Sequence, residues 1–150
     1  MKVKIFVIIC LLAFTFSKCR TYNKDFPLVL IDKSYDLLLL SNQDLLSFGG
    51  SIVDTLIGYR GVVIFRQAYE GLPNDFICFD LACTSESCHY YNKVEVERFG
   101  INAVCPVCGT EYELLSYGWP TKANTDSGES NPLYQYKTYF SGRYLSVENK

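Results

Sequence analysis

Histidine is nearly absent from this chain: His89 is the single imidazole in 150 residues. One imidazole excludes any site that requires two, whether a His-rich zinc site or a cluster with two histidine ligands. There is no G-x-S-x-G, no H-E-x-x-H and no Gly-rich phosphate loop, so the common hydrolase, zinc-protease and nucleotide-binding motifs are missing. Basic stripes are absent too. The formal net charge is −2, and without Lys2, Lys4 and Lys18 the chain keeps 11 basic residues against 16 acidic ones. Such an acidic domain argues against nucleic acid and against electrostatic attraction to anionic lipid. No apolar run reaches the ~20 residues that span a bilayer. Beyond residue 16, no useful length of sequence carries a 3.6-residue apolar stripe.

The longest apolar run opens the chain. Lys2 and Lys4 form a short basic start, and Ile5 to Phe16 follow with only Thr15 weakly polar. Charge, run and polar exit in this order predict a secretory signal over residues 1–18. The exit, Phe16-Ser17-Lys18-Cys19-Arg20, resembles a bacterial lipoprotein signal, in which the cysteine at the cut becomes the lipidated first residue. Lys18 departs from the small residue usual before that cysteine. The resemblance implies an exported protein of the cell envelope, anchored to the membrane by lipid on Cys19. The alternative is a soluble exported protein cleaved nearby. One acyl chain anchors only weakly. Residues 19–25 then read as a tether and residues 26–150 as one domain.

That domain reads as all-β. Phe26 to Ile31 and Tyr35 to Leu40 are apolar runs separated by Asp32-Lys33-Ser34. Leu45 to Val53 is interrupted by Gly49-Gly50, a bulge or turn signal. Val62 to Arg66 is rich in β-branched residues, Phe76 to Asp80 reads as buried on both faces, and Lys93 to Glu97 alternates strictly. Thr110 to Leu115, Leu133 to Tyr139 and Arg143 to Val147 complete the set, while Leu37 to Leu46 is also compatible with helix. Trp119 to Pro132 reads as a long surface loop. With 12 Tyr and 10 Phe, the expected fold is a compact antiparallel β-sandwich or barrel.

Seven cysteines remain to be placed. Cys10 lies in the signal and Cys19 is the lipidation candidate. Cys78, inside Phe76-Ile77-Cys78-Phe79, reads as a small core hydrophobe. The others form two groups, Cys83-x4-Cys88 and Cys105-x2-Cys108. Cys105-Pro106-Val107-Cys108-Gly109 has knuckle spacing: two residues between sulfurs let a tight turn aim both thiolates at one ion, and the glycine tolerates close backbone approach. Four thiolates at Cys83, Cys88, Cys105 and Cys108 suit zinc, a single iron or an iron–sulfur cluster. Disulfides are the competing reading for an exported chain. A redox-active CxxC is unsupported, because no thioredoxin-like βαβ pattern surrounds it.

These residues resemble the Rieske-like iron–sulfur domain family. Gly58-Tyr59-Arg60-Gly61-Val62-Val63-Ile64-Phe65-Arg66, followed by Asp75 to Cys83, is similar to the strand that leads into the first ligand loop. Cys105-Pro106-Val107-Cys108-Gly109-Thr110-Glu111-Tyr112 is similar to the second box, Cys-Pro-x-His-Gly-x-x-Phe/Tyr. Leu133-x-x-Tyr136 and Gly142-x-x-Leu145-x-Val147 look like the closing strands. The likeness is nearest to variant domains of bacterial envelope lipoproteins and implies a small metal-knuckle subdomain built from two neighbouring loops. It departs where ligands belong. Ser85 stands in place of the first histidine, Cys108 in place of the second, and His89 is off register. A His-ligated Rieske cluster is therefore excluded. Either Cys88 completes a four-thiolate site for zinc or an all-cysteine iron–sulfur centre, or the domain binds no metal.

Two functions follow. The first is a module that binds zinc or an all-cysteine iron–sulfur centre and, if iron–sulfur, transfers electrons. The second is a metal-free, disulfide-containing interaction domain of the envelope. An enzyme is the weakest reading: Glu95 and Glu97 fall on one solvated strand face, and no partner for Asp54 or Asp80 is legible. No redox or protein partner is specified by the sequence.

Overall fold

The computed structural model describes residues 25–98, 100–122 and 128–149. The signal, Cys19 and nearly all of the tether lie outside them, as does the middle of the expected surface loop. No helix among the described residues is long and apolar enough to cross a membrane.

Ten strands make two antiparallel sheets: β1 (Asp32–Asp36), β2 (Ser51–Asp54), β3 (Val62–Arg66), β4 (Phe76–Asp80), β5 (Glu95–Val96), β6 (Asn102–Val104), β7 (Glu111–Glu113), β8 (Trp119–Lys122), β9 (Gln135–Phe140) and β10 (Tyr144–Glu148). The larger sheet runs β1-β10-β9-β4-β3-β2 and the smaller β5-β6-β7-β8. The fold is all-β, as expected. The smaller sheet is one insertion between β4 and β9.

The central strands carry no polar alternation because both of their faces are covered. Val63, Phe65, Ile77 and Phe79 point into a core shared with Ala103 and Tyr112 of the smaller sheet and with Val94 and Leu114, which flank its strands. Val62, Ile64, Phe76 and Cys78 point into a second core with Tyr35, Leu45, Tyr136, Leu145 and Val147. Cys78 is thus a core residue on the far face, as its sequence context implied. The larger sheet curls so far that its two edges meet through side chains: Lys33 Nζ and Tyr35 Oη on β1 both donate to Asp54 on β2, the tyrosine at 2.9 Å.

Three expectations need correction. Asp32-Lys33-Ser34 is no break between strands; it begins β1, which pairs with β10 from Asp32↔Glu148 to Asp36↔Tyr144. An edge strand has one neighbour and keeps one face in water, so polar residues suit it. Trp119–Lys122, read as loop, is strand β8, paired with β7 in the register Glu113↔Trp119, Tyr112↔Pro120 and Glu111↔Lys122. Pro120 is tolerated there because β8 is an edge. Finally, the strand read from Leu45 to Val53 starts only at Ser51. Leu40–Leu46 instead forms a 3-10 helix, and the chain then turns tightly, since a Cβ on Gly50 would lie 1.7 Å from the Asp44 carbonyl oxygen.

Candidate metal centre

The site is built where the two sheets join. Strand β4 ends at Asp80, whose buried carboxylate accepts from the Tyr59, Arg60 and Ala82 amides and from Tyr136 Oη at 2.6, 3.2, 2.8 and 2.8 Å. Burial nevertheless pushes the Asp80 carboxyl above its ordinary value, against the pull of these donors. This clasp was not legible in the sequence, because its donors come from backbone and from a tyrosine 56 positions away. It fixes the direction in which the chain leaves β4, and Cys83 follows three residues later.

The first ligand loop is a tight double turn. Cys88 N and His89 N donate to the Ser85 carbonyl at 3.0 and 3.1 Å, and Tyr90 N donates to the Cys83 carbonyl at 3.2 Å. His89 and Tyr90 take left-handed φ values of 44° and 65°, which non-glycine residues adopt only when their surroundings impose it. This reversal brings Cys88 back beside Cys83 despite the loose x4 spacing. Residues 129–131 strap the loop: Glu86 N donates to the Glu129 carbonyl at 3.0 Å, and Thr84 Oγ1 donates to the Asn131 carbonyl.

The second loop is the knuckle, framed by β6 and β7. Cys105 N donates to the Thr110 carbonyl at 2.9 Å and Gly109 N to the Cys105 carbonyl at 2.8 Å. Gly109 has φ +71° with nothing within 4 Å of where a Cβ would sit. The glycine is therefore required by the left-handed turn, not by close backbone approach.

The two loops bring all four predicted sulfurs together. Cys83, Cys88, Cys105 and Cys108 are buried, and their Sγ atoms lie within 4.8 Å of one another. Cys83 Sγ is 3.6 Å from Cys108 Sγ, and Cys88 Sγ is 3.8 Å from Cys105 Sγ. All four are free thiols, none at disulfide bonding distance. His89 is exposed and outside the group, while Ser85 is buried in the turn with its hydroxyl 3.1 Å from that of Ser87.

The surroundings act on the sulfurs in opposite directions. Amide N–H groups of Val107 and Cys108 point at Cys105 Sγ, that of Ser85 at Cys83 and that of Thr110 at Cys108. Burial nevertheless raises the Cys83 and Cys105 thiols. At Cys108 the Thr110 hydroxyl, 3.2 Å away, its amide and the neighbouring sulfurs outweigh burial and pull the thiol down to about 6. Tyr112 adds a donor that the cysteine spacing did not disclose. Its hydroxyl is 3.3 Å from Cys83 Sγ and accepts from Thr84 N at 3.1 Å. The tyrosine at the end of the second box was its only sequence signal.

Comparison with protein-family models, with curated proteins and with solved structures finds no match to this chain. The class of the site therefore rests on its own geometry: a closed, buried group of four thiols that can hold a metal.

Proposed function

We propose that this is a small metal-binding domain in which Cys83, Cys88, Cys105 and Cys108 hold one zinc ion as a structural centre. The observation that carries the reading is the sulfur spacing. Four sulfurs at ~2.3 Å from one ion stand about 3.8 Å apart on the edges of a tetrahedron. Two of the separations here are 3.6 and 3.8 Å, and none is beyond 4.8 Å. A [2Fe–2S] cluster must place two irons and two bridging sulfides between its cysteine pairs, and that needs a wider group. Four protein ligands also leave no open position for substrate, so the metal would join the ligand loops, not perform Lewis-acid chemistry.

A single iron fits the same four thiolates and gives the second reading, an electron-transfer centre. The position of the loops after β4 and after β6 supports kinship with Rieske-like domains, in a four-cysteine variant. Export and lipid attachment at Cys19 complete the proposal, supported by the order of Lys2, Lys4, the apolar run and Cys19.

Metal analysis and an absorption spectrum of anaerobically purified protein test this. One zinc per chain, no colour, and loss of metal and stability in Cys108→Ala but not in Cys78→Ala are the expected results. Iron with visible absorption selects the second reading. Metal-free protein indifferent to Cys108→Ala overturns both and leaves an interaction domain.

A further inference from the structure

We propose that the four thiols form an oxidation switch, in which Cys83 and Cys108 join first, Cys88 and Cys105 second, and any metal they share is expelled. The proposal rests on the metal reading for the expulsion and on sulfur geometry alone for the pairing.

Two of the sulfur contacts cross between the loops. Cys83 to Cys108 joins the loop after β4 to the knuckle at 3.6 Å, and Cys88 to Cys105 does the same at 3.8 Å. A disulfide needs about 2.05 Å between sulfurs, so the first pair has about 1.6 Å to close. Access is unequal. Cys108 is 8% exposed, whereas Cys83 and Cys105 are fully enclosed and Cys88 is at 2%. Beside it the knuckle presents Val107 to solvent at 67%. An oxidant arriving from water therefore meets Cys108 Sγ first, and Cys83 Sγ on the other loop stands 3.6 Å away to resolve it.

The oxidant is hydrogen peroxide. Cys108 thiolate attacks the outer peroxide oxygen, the O–O bond breaks, and sulfenic acid forms as hydroxide leaves. Cys83 thiolate then attacks the Cys108 sulfur, forming the S–S bond and releasing a second hydroxide. Each pair gives up two electrons and each peroxide is reduced to two waters after proton uptake. Two thiolates remain after the first pair, too few for a tetrahedral zinc site, so Zn²⁺ leaves and a second peroxide oxidises Cys88 and Cys105. Because both bonds tie the same two loops that the metal tied, the oxidised domain stays folded.

The test uses the full mature chain loaded with zinc and titrated with hydrogen peroxide. Zinc release is followed with a chromophoric chelator and disulfides by peptide mapping. Expected are a Cys83–Cys108 bond as the first product, release of one zinc as it forms, and recovery on adding thiol reductant and zinc. Cys78→Ser should leave this course unchanged. Zinc retained under excess peroxide, a Cys105–Cys108 bond formed first, or Cys108 over-oxidised without a cross-link overturns the switch. If the chain is isolated without metal, the metal reading alone fails. The pairing is then read on the reduced chain, where Cys83–Cys108 forming first supports the switch and any other first pair overturns it.

Discussion

Replacing Tyr112 by Phe isolates one hydroxyl in the heart of the domain. The ring is fully buried, so phenylalanine fills the same space and leaves no cavity. The hydroxyl is lost from between Thr84 N, at 3.1 Å, and Cys83 Sγ, at 3.3 Å. An orphaned buried N–H costs roughly 1–3 kcal/mol, and a lost bond to a charged group adds a comparable amount. The two share one oxygen and do not add fully, so the expected loss is about 3 kcal/mol. For a domain of this size that lowers Tm by about 10 °C. Because the same hydroxyl supports a ligand sulfur, metal affinity should fall about 10- to 100-fold. Urea unfolding at neutral pH and competition with a calibrated chelator measure the two effects. Stability within about 0.5 kcal/mol of the parent refutes the claim that Tyr112 satisfies the Thr84 amide, since an orphaned amide alone costs at least about 1 kcal/mol.

Other perturbations reach other parts of the fold. Burial raises the Asp54 carboxyl, but bonds from Lys33, the Leu56 amide and Tyr35 bring it below its ordinary value. Its contribution is therefore complete above about pH 4 and lost as pH falls through the lower folded value. Asp54→Asn should destabilise at neutral pH by about 1–3 kcal/mol, and the gap should narrow in acid when both proteins are unfolded by urea across that range. Gly109→Ala, at φ +71° with open space around it, should cost about 1–2 kcal/mol of backbone strain. Asn at the same position should cost less, as read by denaturant midpoints. Cys19→Ser should move the protein from the membrane to the soluble fraction, and a variant that stays membrane-bound would defeat the lipid assignment.

The cysteine group was legible because ligand chemistry leaves a local mark. Two residues between Cys105 and Cys108 specify a knuckle whatever surrounds it. The x4 pair carried less, since the turn that returns Cys88 to Cys83 closes through the Ser85 carbonyl, which no residue type announces, and is followed by left-handed His89 and Tyr90. Strands buried on both faces stood out as the apolar runs of β3 and β4. The edge strands did not: β1 begins Asp-Lys-Ser and β8 contains Pro120, residues that signal turns and are tolerated only where a strand has one partner. Leu40–Leu46 was legible only as a helical alternative within Leu37 to Leu46, for another reason. Only Asn42 and Leu45 of its seven residues are buried, so no periodic apolar face exists to read. Asp54 and Asp80 looked isolated because their partners are distant in sequence.

The pairing of β1 with β10 also sets an order of events. Ser34 and Ser146, 112 positions apart, face each other across that ladder, and the Asn149 side chain reaches the backbone of Val29 and Ile31. The first strand of the domain to leave the ribosome is therefore the last to find its neighbour. Until residues 144–148 exist, β1 has no backbone partner, and the curl that lets Lys33 meet Asp54 cannot close. Contacts of such long sequence separation form slowly. The β1 segment of a nascent chain therefore stays unpaired until synthesis is nearly complete, while the pairings of β2 to β4 and of β5 to β8 join consecutive strands.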